Sequence, residues 1–208
     1  MSSFKNTIVL KVDPVKPDGK LIKYAAGVLK GGGLVAFPTE TVYGVGANLL
    51  NKNAMKRLYK VKERPKNKPF TVHITGIKQI RSLGSTLDAR AKKLAAEFWP
   101  GPLTMVLRSG KYGSTGFRMP ANKVAIELIK ASGVPVVAPS ANLSGRKPPT
   151  EAGEVLRDLD GKIDVLIDTG PTDVGVESTV IDLTANEFRI LREGAVKKKE
   201  IEKILSDE

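Results

Sequence analysis

The residues best equipped for chemistry in this chain are cationic or polar, and they fall in short, separated stretches. The densest holds Lys56, Arg57, Lys60, Lys62, Arg64, Lys66 and Lys68, offset only by Glu63. Lys56 and Lys60 are explained as solvated charges on a helix face. Lys62 and Arg64 fit that reading less well, because they leave the helix on a turn stiffened by Pro65 and Pro69. An ammonium point charge beside a planar guanidinium fork suits phosphate oxygens. No GxxxxGK[ST] loop is present, so any phosphate site is of another kind. At a turn, both side chains are expected to be exposed, and replacing them should cost little stability.

Five further stretches carry suitable side chains. Residues 138–145, Ala-Pro-Ser-Ala-Asn-Leu-Ser-Gly, follow the apolar run VPVVA. They read either as a hydrogen-bonding ligand loop built on Ser140 and Asn142 or as an ordinary polar turn. Arg118 lies between Phe117 and Met119-Pro120. That pattern half-buries it, so it needs a carboxylate or phosphate partner, internal or bound. Glu177-Ser178-Thr179 leads into the strand-like VIDL, and Arg192 follows another strand. Residues 32–48, GGLVAFPTETVYGVGAN, begin as a short buried strand that Pro38 ends. Thr39, Glu40, Thr41 and Tyr43 then bring polar tips, and Gly44 and Gly46 are read as a turn or a place of close backbone approach.

His73 is the only histidine and there is no cysteine. A packed, hydrogen-bonded role suits a histidine within a strand better than metal ligation. A thiolate metal site or a Cys–His nucleophile lacks its parts, and a Ser–His pair has little support. Trp99, before Pro-Gly-Pro, reads as core. An enzyme with this inventory works by positioning and electrostatics.

Elements that would position these residues are legible from periodicity. Strands are expected at 8–12, 34–37, 70–74, 103–108, 134–138, 165–168, 178–183 and 188–191. Helices are expected at about 18–30 with Gly31 as C-cap, and at 52–62, 77–83, 87–98, 123–131 closed by Gly133, 151–159 capped by Thr150, and 197–205. Residues 111–116 are expected to form a glycine-rich loop. This interleaving implies one α/β (α+β) domain, with 1–196 as its body and 197–208 as a charged helix or tail.

The length, 208 residues, suits one domain, and 41% hydrophobic content supplies a core. No run reaches a membrane span and no secretory h-region opens the chain, so a cytoplasmic protein with no membrane contact is expected. Lys and Arg total 34 against 22 acids, a formal charge of +12. That excess points to a polyanionic partner or to a solvated basic surface.

Together, PTETVYG within 32–48, Lys62-x-Arg64-Pro, Trp99-Pro-Gly-Pro-Leu-Thr104, Arg118-x-Pro120, Pro139-Ser-Ala-Asn-Leu-Ser-Gly145, Glu177-Ser-Thr-Val180 and Leu191-Arg-x-Gly194 resemble the YrdC-like family of threonylcarbamoyl-adenylate synthases, in its single-domain form. The resemblance implies a twisted, open, mixed β-sheet surrounded by helices, with a basic concave face. It implies a nucleotidyltransferase that joins L-threonine, bicarbonate and ATP into threonylcarbamoyl-AMP and pyrophosphate, for modification of tRNA by a downstream transferase complex. By motif position, threonine would meet Thr41, His73, Arg118, Ala138 and Ser178. ATP would meet Lys62, Arg64, Lys68, Ser114, Ser140, Asn142, Pro148 and Arg192. Lys68 stands where many relatives carry a shorter polar residue, and Glu193 where many carry proline. Mg²⁺ is expected with ATP, no protein metal ligand is assigned, and no catalytic side chain stands out, because the substrates bring their own nucleophile. The alternative is a non-catalytic module that holds tRNA or double-stranded RNA by phosphate contacts.

Overall fold

The computed structural model of the chain describes residues 6–65, 68–110 and 113–206. Lys66 of the basic run, and Lys111 and Tyr112 at the start of the expected glycine-rich loop, lie outside them. Ten strands and seven helices are found among the described residues. In chain order the first are β1 (Ile8–Lys11), α1 (Gly19–Lys30), β2 (Val35–Phe37), β3 (Gly44–Asn48), α2 (Lys52–Val61), β4 (Val72–His73), α3 (Lys78–Ser82) and α4 (Ala89–Phe98). There follow β5 (Leu103–Ser109), β6 (Gly113–Arg118), α5 (Lys123–Ser132), β7 (Val136–Val137), α6 (Ala152–Leu159), β8 (Val165–Asp168), β9 (Thr179–Asp182), β10 (Arg189–Arg192) and α7 (Lys198–Ser206).

The strands form one mixed sheet in the order β1-β8-β2-β3-β7-β4-β6-β5-β9-β10. Helices cover both faces, and the two-residue period of the strands divides the core accordingly. Val35, Phe37, Val136, Val165 and Ile167 face α1 and α5, where Ile22, Ala25, Leu29, Val124 and Leu128 pack. Leu34, Ala36, Val45, Ala47, Val137 and Leu166 face the other way, into a core that includes Leu58 of α2, Leu94 of α4 and Val155 of α6. Ile201 of α7, fully buried, belongs to that second core. Four helices open on side chains suited to capping. Asp18, Asn51, Asp88 and Asn122 each accept a hydrogen bond from a backbone N–H in the first turn.

Three expectations are corrected. Residues 44–48 are not a turn but β3, a strand in the middle of the sheet, paired with β2 and β7. Gly46 is needed there for packing: an added Cβ would lie 2.9 Å from Phe37 Cε1 and 3.3 Å from Leu29 Cδ2. Residues 113–116 belong to β6, paired with β5 along its length. In both cases glycine-rich strands escape a reading based on β-branched side chains. Thr150 does not cap α6. Glu154 reaches back instead, its Oε2 accepting from Thr150 N at 2.7 Å and from Thr150 Oγ1 at 3.1 Å.

Candidate functional site

The strand order brings the ends of β4 and β6, the turn after β2 and the loop after β7 around one cavity of about 680 Å³. A smaller hollow of about 310 Å³ lies beside it and shares Arg64, Lys68, Ser140 and Glu177 with it. The residues expected for threonine, apart from Thr41, line the large cavity: His73, Arg118, Ala138 and Ser178. Of those expected for ATP, Lys62, Arg64, Lys68, Ser140, Asn142 and Pro148 line the small hollow, while Ser114 and Arg192 line the large cavity.

Arg118 ends β6 beside His73 of β4, its register partner in a parallel pair. It is 4% exposed. Its partner is internal: Glu40, also buried, places Oε2 2.9 Å from Arg118 Nη2. Nη2 also donates to Thr41 Oγ1 at 2.8 Å, and Nε reaches Gly101 O at 3.4 Å. Thr39 Oγ1 donates to Val42 O and lies 2.9 Å from Thr41 Oγ1. The protons therefore run one way, from Arg118 to Thr41 to Thr39 to the Val42 carbonyl. Thr41, fully buried, stands behind Arg118 and holds it. Arg118 Nη1 makes no hydrogen bond with a described residue, so its N–H pair is available to an anion in the cavity. Burial, reinforced by the nearby Arg118 charge, lowers the pKa of His73 to about 3. The imidazole is therefore neutral, and its buried Nδ1 has no hydrogen-bond partner among the described residues.

Lys62 differs from expectation. It is the C-cap of α2, yet it is only 2% exposed. Its Nζ donates to Ser140 O and Asn142 O, each at 2.5 Å, and to Asn142 Oδ1 at 3.3 Å. Its carbonyl accepts from Ser144 N and Ser144 Oγ. The turn after α2 is thus knitted to the 140–144 loop by both ends of one residue. Burial, with Arg64 as the second cause, lowers the Lys62 pKa to about 8. Arg64 donates to the carbonyls of Lys68 and Pro69, and its guanidinium stands 5.1 Å over the Phe70 ring.

On the opposite wall Arg192 donates to Glu177 Oε1 at 2.5 Å and to Ser178 O at 2.9 Å from Nη2. Ser178 Oγ lies 2.9 Å from Thr104 Oγ1. Glu177 lines both hollows. Among the described residues, no cluster of three His, Cys, Asp or Glu is placed to hold a metal ion. The arrangement can bind a small carboxylate deep in the cavity and a phosphate chain nearer its mouth, side by side. Glu40, Thr104 and Glu177 lie within the quoted motifs but carried no expected ligand contact. Glu40 lies within PTETVYG, where an acid among buried neighbours signals a buried cation elsewhere.

The comparisons with known proteins agree with this geometry. A family model for Sua5, YciO and YrdC, described as telomere recombination, matches residues 27–194. Threonylcarbamoyl-AMP synthase from Pyrococcus abyssi is 45% identical over 97% of this chain and 62% of its own length. The protein of the same name from Bacillus subtilis is 41% identical over 97% of this chain and 61% of its own. This chain thus spans about three fifths of those relatives. A crystal structure of P. abyssi Sua5 complexed with L-threonine superposes with a TM-score of 0.92 at 44% identity, covering 96% of this chain and 61% of that one. The chain belongs to the Sua5/YciO/YrdC family.

Proposed function

We propose that this protein is a threonylcarbamoyl-AMP synthase, forming threonylcarbamoyl-adenylate and pyrophosphate from L-threonine, bicarbonate and ATP. The observation that carries the reading is the adjacency of two unlike subsites: the buried Arg118 guanidinium lines the large cavity, which shares Arg64, Lys68 and Ser140 with the small hollow that Lys62 and Asn142 line. The names of the relatives support it, as does the threonine held by P. abyssi Sua5.

In this reading Arg118 Nη1 holds the threonine carboxylate, which fixes the amine in the dry interior of the cavity. Bicarbonate takes up a proton and gives up water to leave carbon dioxide. The neutral amine adds to its carbon and loses a proton to become a carbamate, and one carbamate oxygen then attacks the α-phosphorus as the bond to the pyrophosphate oxygen breaks. The protein supplies no nucleophile. It holds two anions together against their repulsion and receives the charge that builds on the leaving phosphates, which is the largest single contribution such sites make. ATP would bring Mg²⁺ as part of the substrate, coordinated by phosphate oxygens and water. The mixed anhydride product would then serve a tRNA-modifying partner.

The test is initial-rate pyrophosphate release with threonine and bicarbonate each added or withheld. Release that requires both supports the reading. ATP cleavage indifferent to threonine, or none under any condition, refutes it.

A further inference from the structure

Glu40 has no role in the scheme so far, yet its placement is costly. Its side chain is 7% exposed, and it sits against the most deeply buried guanidinium of the site. Neither carboxylate oxygen makes a well-formed hydrogen bond with any described residue. Oε2 is held only by its ion pair with Arg118, and Oε1 by nothing among the described residues. A carboxylate needed merely to fasten a turn would be hydrogen-bonded. The turn is already fastened without it, by Thr39 Oγ1 to Val42 O and by Val174 N to Glu40 O. What Glu40 contributes at this place is charge.

The charges divide by depth. At the inner end the Arg118 cation meets the Glu40 anion and His73 is neutral. Nearer the mouth the more exposed Arg64, Lys68 and Arg192 share one acid, Glu177, which pairs with Arg192. Lys62 is as buried as Arg118, but its ammonium is held by the carbonyls of Ser140 and Asn142 and not by a carboxylate. An unpaired guanidinium at the dry end would be the strongest phosphate trap in the cavity, because attraction grows as water is removed.

We propose that Glu40 is a specificity-determining residue: by cancelling the charge of Arg118 it reserves the inner end for a zwitterionic amino acid and turns phosphates toward Lys62 and Arg64. A zwitterion carries no net charge and can present its carboxylate to Nη1. A polyphosphate at the same depth meets a carboxylate across the guanidinium, and the repulsion scales with its larger charge. Without Glu40, ATP or pyrophosphate would occupy the place of threonine.

The inference rests on the cavity taking threonine and a nucleotide, and its test separates the two ideas. Titration calorimetry with inorganic pyrophosphate counts sites, and threonine titrations with and without saturating pyrophosphate report competition. The wild-type protein should bind one pyrophosphate and keep its threonine affinity when pyrophosphate is present. Glu40→Gln should bind a second pyrophosphate, which competes with threonine and weakens its apparent affinity by about tenfold or more. Glu40→Asp, which keeps the charge but withdraws it, should move the same way by less. A role confined to holding the turn would alter melting temperature and leave stoichiometry and competition unchanged. Pyrophosphate that already competes with threonine in the wild type overturns the inference, and so does a Glu40→Gln variant, folded by its melting curve, with one site and no competition. If Glu40→Gln does not fold, the wild-type and Glu40→Asp arms decide. A wild type that binds pyrophosphate but no threonine overturns the functional proposal as well, whereas unaltered competition alone sinks only the role of Glu40.

Discussion

ATP binding should draw a proton onto Lys62. The free protein holds this ammonium in a buried place, with a pKa of about 8 instead of 10.5. After burial, the repelling charge of Arg64 acts on it most, while Glu177 and Asp158 help it less. At pH 7 about 0.9 of the molecules carry the proton; at pH 8.5 only about a quarter do. Phosphate oxygens brought into the small hollow would favour the charged form, as an opposite charge within a few ångströms does. If they restore the ordinary value, binding takes up about 0.1 proton at pH 7 and about 0.8 at pH 8.5. Affinity then falls as pH rises above 8, approaching tenfold per unit, and by roughly 300-fold in all by the upper end of the window. The sign follows from the depression: the free form gives up its proton first, so alkali removes the form that binds.

Calorimetric titration with Mg·ATP in buffers of different ionisation enthalpy measures the uptake directly. Lys62→Met keeps the buried stem and removes the titrating group, so its uptake should be near zero at both pH values. Wild-type uptake near zero at pH 8.5, or equal uptake in wild type and variant, would refute the placement of phosphate beside Lys62. The variant will also be less indifferent to folding than a turn residue would be. It leaves the carbonyls of Ser140 and Asn142 unpaired in a buried place, a cost of about 1–3 kcal/mol for each such group. Relief of the burial of a charge offsets part of it.

Further outcomes follow from particular contacts. Arg118→Lys should weaken threonine binding by about 1.5–3 kcal/mol while leaving ATP affinity nearly unchanged, because the charge survives but one ammonium cannot keep the contacts of Nη2 to Glu40 and Thr41 and also present the separate Nη1 to a carboxylate; paired titrations check it. His73, depressed to about 3, stabilises the fold above pH 6.5 and loses that contribution as pH falls toward 3, since the unfolded chain takes the proton first. Its share of the loss between pH 7 and 5 should be about 2 kcal/mol, seen as a difference in urea unfolding between wild type and His73→Gln. Gly194→Ala should be severe, because the new Cβ would lie 2.1 Å from the Glu177 carbonyl oxygen and 2.8 Å from Ser178 C; the backbone that anchors Arg192 must shift, so melting temperature and activity should fall together.

Much of this is legible in the chain itself, and the omissions share a cause. Buried strands such as Val165–Asp168 and capped helices such as Gly19–Lys30 carry their pattern in neighbouring residues. The motif stretches are legible too, because each keeps its small and polar residues together. What cannot be read is pairing across the sheet. Nothing near Arg118 in sequence names Glu40 as its partner, and nothing near Lys62 says that the carbonyls of Ser140 and Asn142 will take its ammonium. A lysine at the end of a helix normally extends into water. Here the loop after β7 closes over it, and the strand order that makes this possible appears only when β7 inserts between β3 and β4.

That insertion also explains why the site is polarised. Arg118 and His73 sit on strands of a sheet covered on both faces, where an unpaired charge is expensive. The fold therefore admits Arg118 only with Glu40 beside it, and holds His73 neutral. Arg64 and Lys68 sit on loops, where water and backbone carbonyls can satisfy them and their charge can stay uncancelled, while Arg192, at the end of β10, shares Glu177. A strand-borne inner end is thereby bound to be near neutral, and a loop-borne mouth is free to be cationic. In the proposed reading, a site that must admit a small zwitterion beside a polyanion is served by that order of charges. Exchanging the two supports, with the cations on strands and the pair on loops, would demand a desolvation cost at each cation that no partner among the described residues offsets.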